Sequence, residues 1–298
     1  MRKFLFSLII LAVIAIGAVF YLWWQGGSAI NLKSGNIKSS PLPSKTSQDY
    51  KQLSSSENLA ASLPPQYQPP ADNAVIRFPV FNYHHLGPLP ENADINRQAF
   101  TVTPEIFEQQ LKYFKENGYQ AVYLDQLIEY FDSGKPLPPK AIAITFDDSY
   151  KEQYQYAFPL LKKYGFVATF FVITSWVGRA DAFSWAEIKE MNESGMAVGS
   201  HSITHPHLDT LSDEDLKKEV ENSKKVIQEN LGKTVDFIAY PAGYYNDRVI
   251  QAVKDAGYKG AVGVYKIISQ SPKYRWSIRR FHVDNNLESI TEKLVDYR

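Results

Sequence analysis

From about residue 74 onward, short apolar runs alternate with stretches patterned for helices, and this alternation constrains the fold more than any other feature of the chain. Residues 75–81, 141–146, 168–173, 197–200, 237–240 and 260–264 read as strands. Between them, residues 104–117 read as a helix opened by Thr103 and closed by Gly118, residues 154–164 as one ending at Gly165, and residues 184–194 as one ending at Gly195. Ser212 caps a long helix to Leu231 with Gly232 as its stop, and residues 247–256 make a last one. Glu214 and Asp215 fall in the first turn of the long helix, where the helix dipole favours negative charge. Strands separated by helices of this length imply a parallel sheet. Some 225 residues with about seven such units fit a closed or nearly closed α/β barrel better than an open sheet.

The N-terminal quarter has a different texture. Arg2 and Lys3 precede 21 uncharged residues, 4–24, which as a helix would reach roughly 30 Å, one hydrocarbon thickness. The run closes on Tyr21, Leu22, Trp23 and Trp24, aromatics suited to a membrane interface, and it exceeds the usual 7–15 residues of a cleavable signal. We therefore expect residues 1–24 to be a cytoplasmic stub and uncleaved single-pass anchor, with secretion after cleavage as the alternative. The basic terminus would stay inside and everything after Gln25 outside the cytoplasm. Residues 25–73 are rich in Ser and Pro and read as a disordered spacer, leaving 74–298 as the folded domain. Thirty-two basic against thirty-two acidic residues remove the broad basic surface that phosphate binding needs, so nucleic acid is not an expected partner, and no protein partner is indicated. The absence of cysteine excludes disulfides, thiolate nucleophiles and Cys-ligated zinc.

In barrels of parallel strands the reacting groups sit where strands end, so the polar residues after each apolar run are the candidates. The first run ends in Tyr83-His84-His85, a later one in Thr145-Phe146-Asp147-Asp148, another in His201-Ser202-Ile203-Thr204-His205-Pro206, and another in Tyr240-Pro241-Ala242-Gly243. Adjacent carboxylates at a strand end point in different directions, so one can bind a cation while its neighbour faces the substrate. An isolated Asp-Asp pair is more often a helix cap. The His-x-x-x-His spacing is expected to put two imidazoles on one face of a helical turn. Two His and one Asp leave an open coordination position, the arrangement of a catalytic zinc; nickel, cobalt or iron can use the same ligands.

These segments resemble the first three motifs of the polysaccharide deacetylases, the NodB-homology family of carbohydrate esterase family 4, and the likeness runs from about Phe78 to the C-terminus. The resemblance implies a distorted, incomplete (β/α) barrel and metal-dependent removal of acetyl groups from N-acetylated sugars in chitin, peptidoglycan or poly-N-acetylglucosamine. It implies that Asp148, His201 and His205 bind the metal, most simply Zn2+, and that Asp147 is the base that deprotonates metal-bound water. A Tyr-His at the first strand, here Tyr83-His84, is similar to the poly-N-acetylglucosamine deacetylase subgroup and makes His84 the expected acid, ahead of His85 and His282. His207 reads as a loop residue. Where the family often has an arginine that pairs with the base, this chain has Ala239, so Arg280, with Arg279 close behind, is expected to supply it. Ala242 stands where the family often has tyrosine and is expected to offer its backbone N–H to the oxyanion. Tyr150 and Tyr244 are expected to touch sugar; Trp176, Trp185 and Tyr245 serve equally well as core or surface.

The expected function is thus deacetylation of an N-acetylglucosamine-containing polymer. Two alternatives stand beside it: an O-acetyl esterase on a polysaccharide such as xylan, using the same site, and a wall-glycan binding protein without turnover. A Ser-His-Asp hydrolase is disfavoured because no Gly-x-Ser-x-Gly occurs.

Overall fold

The computed structural model describes residues 68–265 and 267–295. The expected anchor, and the expected spacer as far as residue 67, lie outside the described residues. Among the described residues no helix is long and apolar enough to cross a membrane.

In chain order the strands are β1 (Ile76–Arg77), β2 (Val80–Tyr83), β3 (His85–Leu86), β4 (Thr101–Val102), β5 (Gln120–Ala121) and β6 (Ala141–Phe146). They continue as β7 (Thr169–Val172), β8 (Ala197–Ser200), β9 (Phe237–Ala239), β10 (Gly260–Val262), β11 (Ser269–Gln270) and β12 (Phe281–His282). Eight form one sheet in the order β10-β9-β8-β7-β6-β2-β12, with β5 added against β6, and every pairing is parallel. The sheet is curled. Ile278 bridges to Val262 of β10, while three residues later β12 pairs with β2, so one short segment touches both margins. Among the described residues, β11 and the 3₁₀ segment Pro272–Ser277 are the elements between β10 and β12, where a full repeat would carry a crossover helix. The barrel is incomplete for that reason.

The expected strand over residues 75–81 is in fact two. Phe78 and Pro79 interrupt it, Pro79 having no N–H to give a ladder, and β1 pairs antiparallel with β11 outside the main sheet. The expected helix over 154–164 begins with a π-helical turn, Gln153–Ala157, before the α-helix Phe158–Tyr164 ends on Gly165 in the left-handed region at φ 74°. The helices Ile95–Phe100, Leu124–Ser133 and Glu288–Leu294 were not apparent from periodicity. Residues 68–73, at the end of the expected spacer, lie against the domain: Asp72 O accepts from the Ser271 hydroxyl at 2.7 Å.

Strand parity decides which residues meet. Successive side chains alternate between the two faces of a strand. Phe81 and Tyr83 of β2, Ile142, Ile144 and Phe146 of β6, and Phe170 and Val172 of β7 turn outward and pack in the larger core. The other parity packs in a second cluster, with Val80, Ala141, Ala143, Phe171, Phe237, Ala239 and Val262. Leu124, Leu127, Ile128 and Phe131 of helix Leu124–Ser133 join this inner cluster. Continuing the inner parity toward the strand ends gives Asn82 and His84, Thr145 and Asp147, His201, and Arg280 and His282. Apolar residues fill the barrel near the strand starts and polar groups take over at the mouth.

Gly199 belongs to the same inward set, and its reason is steric. A Cβ there would lie 2.5 Å from the Phe171 ring and 3.1 Å from Phe237 O. The Phe171 ring is itself fully buried, with the Arg280 guanidinium 5.4 Å from its centroid, so any retreat must displace other core groups. Gly199→Ala is expected to cost about 1–3 kcal/mol through overpacking, read as a lower urea midpoint at unchanged slope. An alanine variant as stable as the parent would show that the interior can yield.

Candidate active site

Beyond Phe146 the chain leaves β6 with Asp147, and then turns sharply: Asp148 and Ser149 have φ of 73° and 61°. Ser202, His205 and Ala242 are also in the left-handed region, at 64°, 63° and 52°. Such conformations cost a side-chain-bearing residue about 1–3 kcal/mol, and here five of them gather after β6, β8 and β9. Residues 201–207 are not helical. The expected helical turn is therefore absent, and the two imidazoles converge because the loop bends left-handed at Ser202 and His205. Ser202 Oγ accepts from His205 N at 3.0 Å, and Glu219 accepts from the N–H groups of Ile203 and Thr204 at 2.7 and 3.0 Å, fastening the loop to helix Asp213–Leu231.

The result brings Asp148, His201 and His205 together, with ligand atoms all within 4.8 Å of one another. Asp148 Oδ1 lies 3.4 Å from His201 Nε2 and 3.5 Å from His205 Nε2. Ligands about 2.0–2.1 Å from a tetrahedral ion stand about 3.3–3.4 Å apart, so these separations fit a small divalent cation. His201 Nδ1 is 2.8 Å from Ala239 O. Donating its proton there, the ring keeps a lone pair on Nε2. The electrostatics agree with a cation site. Burial would lower His201, yet Asp147 and Asp148 outweigh it and raise the imidazole above its ordinary value. His205 goes the other way, lowered by burial and by the neighbouring His201.

Asp147 is buried beside this cluster and is gripped by Arg280. One guanidinium nitrogen donates to Oδ1 and the other to Oδ2, each at 2.7 Å, and Asn82 Nδ2 adds a bond to Oδ2 at 3.2 Å. Arg280 itself is fully buried, its Nε donating to Gly263 O and its Nη1 also reaching Asn82 Oδ1 and Thr145 Oγ1 at 3.0 and 3.3 Å. Burial alone would raise the Asp147 carboxyl; the Arg280 charge, with His201, holds it well below the usual carboxylate range. Arg279, one residue away, faces elsewhere and lies over the Tyr274 ring.

His84 Nε2 is 3.9 Å from Asp147 Oδ2. Its ring packs against Phe100 at 4.8 Å and His282 at 5.5 Å, and its buried Nδ1 has no hydrogen-bond partner among the described residues. Burial pushes this imidazole down to about 4, against the opposing pull of Asp147 and Asp148. Its folded value lies below its unfolded value of about 6.5, so the unfolded chain binds the proton first and stability is lost as pH falls from about 6.5 to 4. In chelated protein this contribution is expected to be about 3 kcal/mol. His84→Phe should flatten that part of the stability curve in urea unfolding, and an unchanged slope would contradict the burial argument.

The remaining expected residues divide. His85 is engaged: Glu152 Oε1 is 2.8 Å from its Nδ1, Arg97 also contacts that nitrogen, and the Tyr150 ring stacks on it at 3.7 Å. His282 Nε2 is 2.9 Å from Ala99 O. Tyr150, Ala242 and His282 line a cleft of about 770 Å³ together with Asp147, the three convergent residues and His84. Tyr244 is exposed and stacks on His207 at 4.5 Å; it is not among the lining residues. Trp176 lies beside His205 at 6.4 Å, Trp185 packs at the core margin, and Tyr245 stacks on Tyr240. Sequence reasoning missed Asn82, Glu219, Glu152, Gln153 and Arg97. Only Asn82 left a signal, as a polar residue directly after the first apolar run.

Residues 134–261 match the family model described as polysaccharide deacetylase. The chain is 31% identical over 186 residues to YxkH of Bacillus subtilis (strain 168), covering 62% of this chain and 64% of that protein. It is 32% identical over 174 residues to the poly-β-1,6-N-acetyl-D-glucosamine N-deacetylase of Staphylococcus aureus (strain MRSA252), covering 54% of this chain and 60% of that one. The match thus spans about three fifths of the length of these curated relatives. Among solved structures, Streptococcus pyogenes deacetylase PplD, in complex with acetate, superposes with a TM-score of 0.69 at 28% identity, over 74% of this chain and 99% of that chain.

Proposed function

We propose, from the premise that this chain carries a polysaccharide deacetylase domain, that it hydrolyses N-acetyl groups of an N-acetylglucosamine-containing polysaccharide such as peptidoglycan, poly-N-acetylglucosamine or a chitin-like glycan. The observation that carries the reading is one Asp148 oxygen set 3.4 and 3.5 Å from two imidazole nitrogens, beside a second carboxylate locked to a buried arginine. The name of the Staphylococcus aureus relative supports a poly-N-acetylglucosamine substrate.

Asp148, His201 and His205 would hold a divalent ion, most simply Zn2+. Bound there, such an ion would polarise the acetyl carbonyl and lower the pKa of water. Asp147 Oδ2, kept ionised by Arg280, receives the proton as water adds to the carbonyl carbon. His84 Nε2, 3.9 Å away, is placed to pass a proton to the amine nitrogen as the C–N bond breaks, giving acetate and the free amine. His84 starts neutral near pH 7, so the proton it delivers is the one Asp147 has taken from water, handed on from Oδ2 to Nε2 before the C–N bond breaks. The Ala242 backbone N–H is the proposed oxyanion donor at the cleft wall, and Tyr150 a sugar contact.

The uncharged run over residues 4–24 supports an extracytoplasmic domain on a membrane anchor, with residues 25–73 as its spacer. Protease treatment of intact cells should then release the C-terminal domain; a domain protected until lysis would refute this placement. The enzymatic test is acetate release from chitooligosaccharides, peptidoglycan and acetylated xylan, before and after chelation and with single metals restored. Release from the N-acetylated substrates that stops on chelation is expected. Release from xylan alone would assign an esterase, and none from any substrate would leave a binding protein.

A further inference from the structure

Two residues on the turn that follows the Asp147-Asp148 pair reach back into the site. Gln153, fully buried at the start of the π-helical turn, donates through Nε2 to His84 O at 2.7 Å and to Asp147 O at 2.5 Å. Only an amide nitrogen can donate to both carbonyls, so these bonds also set the orientation of the side chain. They tie the ends of β2 and β6 together just where His84 and Asp147 leave the sheet. Glu152, the neighbouring residue, accepts from Leu86 N at 3.0 Å, meets His85 Nδ1 at 2.8 Å and accepts from Arg97 Nη2 at 2.7 Å. His85 carries the stacked Tyr150 ring, and Tyr150 and Asp148 line the same cleft. Glu152 stands just before the π turn and Gln153 opens it, and both side chains reach back to the strand ends.

We propose that Glu152 and Gln153 are positioning residues that hold the two halves of the site in register. Gln153 sets the spacing of His84 and Asp147 through their backbone carbonyls. Glu152 sets Asp148 through the His85 and Tyr150 rings. This rests on the reading of Asp148, His201 and His205 as the metal-holding set.

The test uses the full-length chain with cobalt(II) as probe, titrated by its visible absorption against a competing chelator, together with steady-state deacetylation of a chitooligosaccharide. Glu152→Gln is expected to weaken cobalt binding about 10–100-fold and to change the visible spectrum, with Tyr150→Phe moving both in the same direction. Combined, the two substitutions should cost less than the sum of their single effects, since both act through one carboxylate. Gln153→Met, which keeps the length and removes the donor, is expected to lower kcat about 10–100-fold at unchanged KM and unchanged cobalt affinity. Either variant leaving its own readout at the parent value overturns the assignment for that residue, even where its melting temperature falls. A parent chain that takes up no cobalt would overturn the metal reading and this inference with it. A parent that binds cobalt, beside variants that bind and turn over like it, overturns this inference alone.

Discussion

Asp147→Asn is expected to lower deacetylation by roughly 10²–10⁴-fold, the range a positioned acid or base contributes. Asparagine keeps the shape of the side chain and one oxygen to accept from Arg280, but it cannot take up the proton released when water adds to the acetyl carbon. Because Asp148, His201 and His205 are untouched, cobalt binding should stay near the parent value, which separates loss of the base from loss of the ion. The substitution also leaves the fully buried Arg280 without its counter-charge, so a lower melting temperature should accompany the lost activity. A variant with kcat within tenfold of the parent would remove Asp147 from the reaction and turn attention to other groups lining the cleft.

The second large effect concerns the other half of that pair. Arg280→Met should destabilise the protein by about 3–5 kcal/mol, because it strands a buried carboxylate. The variant loses the two 2.7 Å bonds to Asp147 and those to Gly263, Asn82 and Thr145. The sign of the accompanying pH effect follows from the balance at Asp147. Burial pushes its carboxyl up and Arg280 pulls it down, so removing Arg280 lets burial act with less opposition and the carboxyl rises. In the parent this pair contributes stability that is present above the unfolded value of about 3.9 and lost only in stronger acid, as pH falls through the depressed folded value. In the variant the acid limb of the kcat profile should move to higher pH. Urea unfolding of Arg280→Met beside the double variant with Asp147→Leu completes the measurement: the double variant should recover much of the lost stability, since a buried pair replaced by apolar groups is often neutral. Equal destabilisation in the single and double variants would show that Arg280 acts through its other bonds.

Much of the site was legible before any coordinates. Asp147-Asp148 follows a run of six apolar or small residues, and a pattern of this kind places both carboxylates at a strand end without knowledge of the neighbouring strands. The His201 and His205 pairing was legible as well, although its expected conformation was not: nothing local announces that Ser202 and His205 adopt positive φ, which is stabilised by Glu219 and Ser202 Oγ. The helix Leu124–Ser133 went unread despite its buried Leu124, Leu127, Ile128 and Phe131, and the π turn at Gln153–Ala157 leaves no mark in hydrophobic periodicity.

What the amino-acid order determined by itself was therefore the βα alternation and the set of groups delivered to strand ends, because both depend on contacts and parity within a few residues. Which partners those groups acquire was decided only by tertiary structure. Arg280, rather than Arg279, meets Asp147 because β12 aligns Phe281 with Phe81, and strand parity then turns residue 280 inward and 279 away. A one-residue slip of that alignment would exchange them. Asn82, 65 positions from Asp147, and the contacts of Gln153 with His84 and of Glu152 with β3 have the same origin: register between segments distant along the chain, set by how the curled sheet packs.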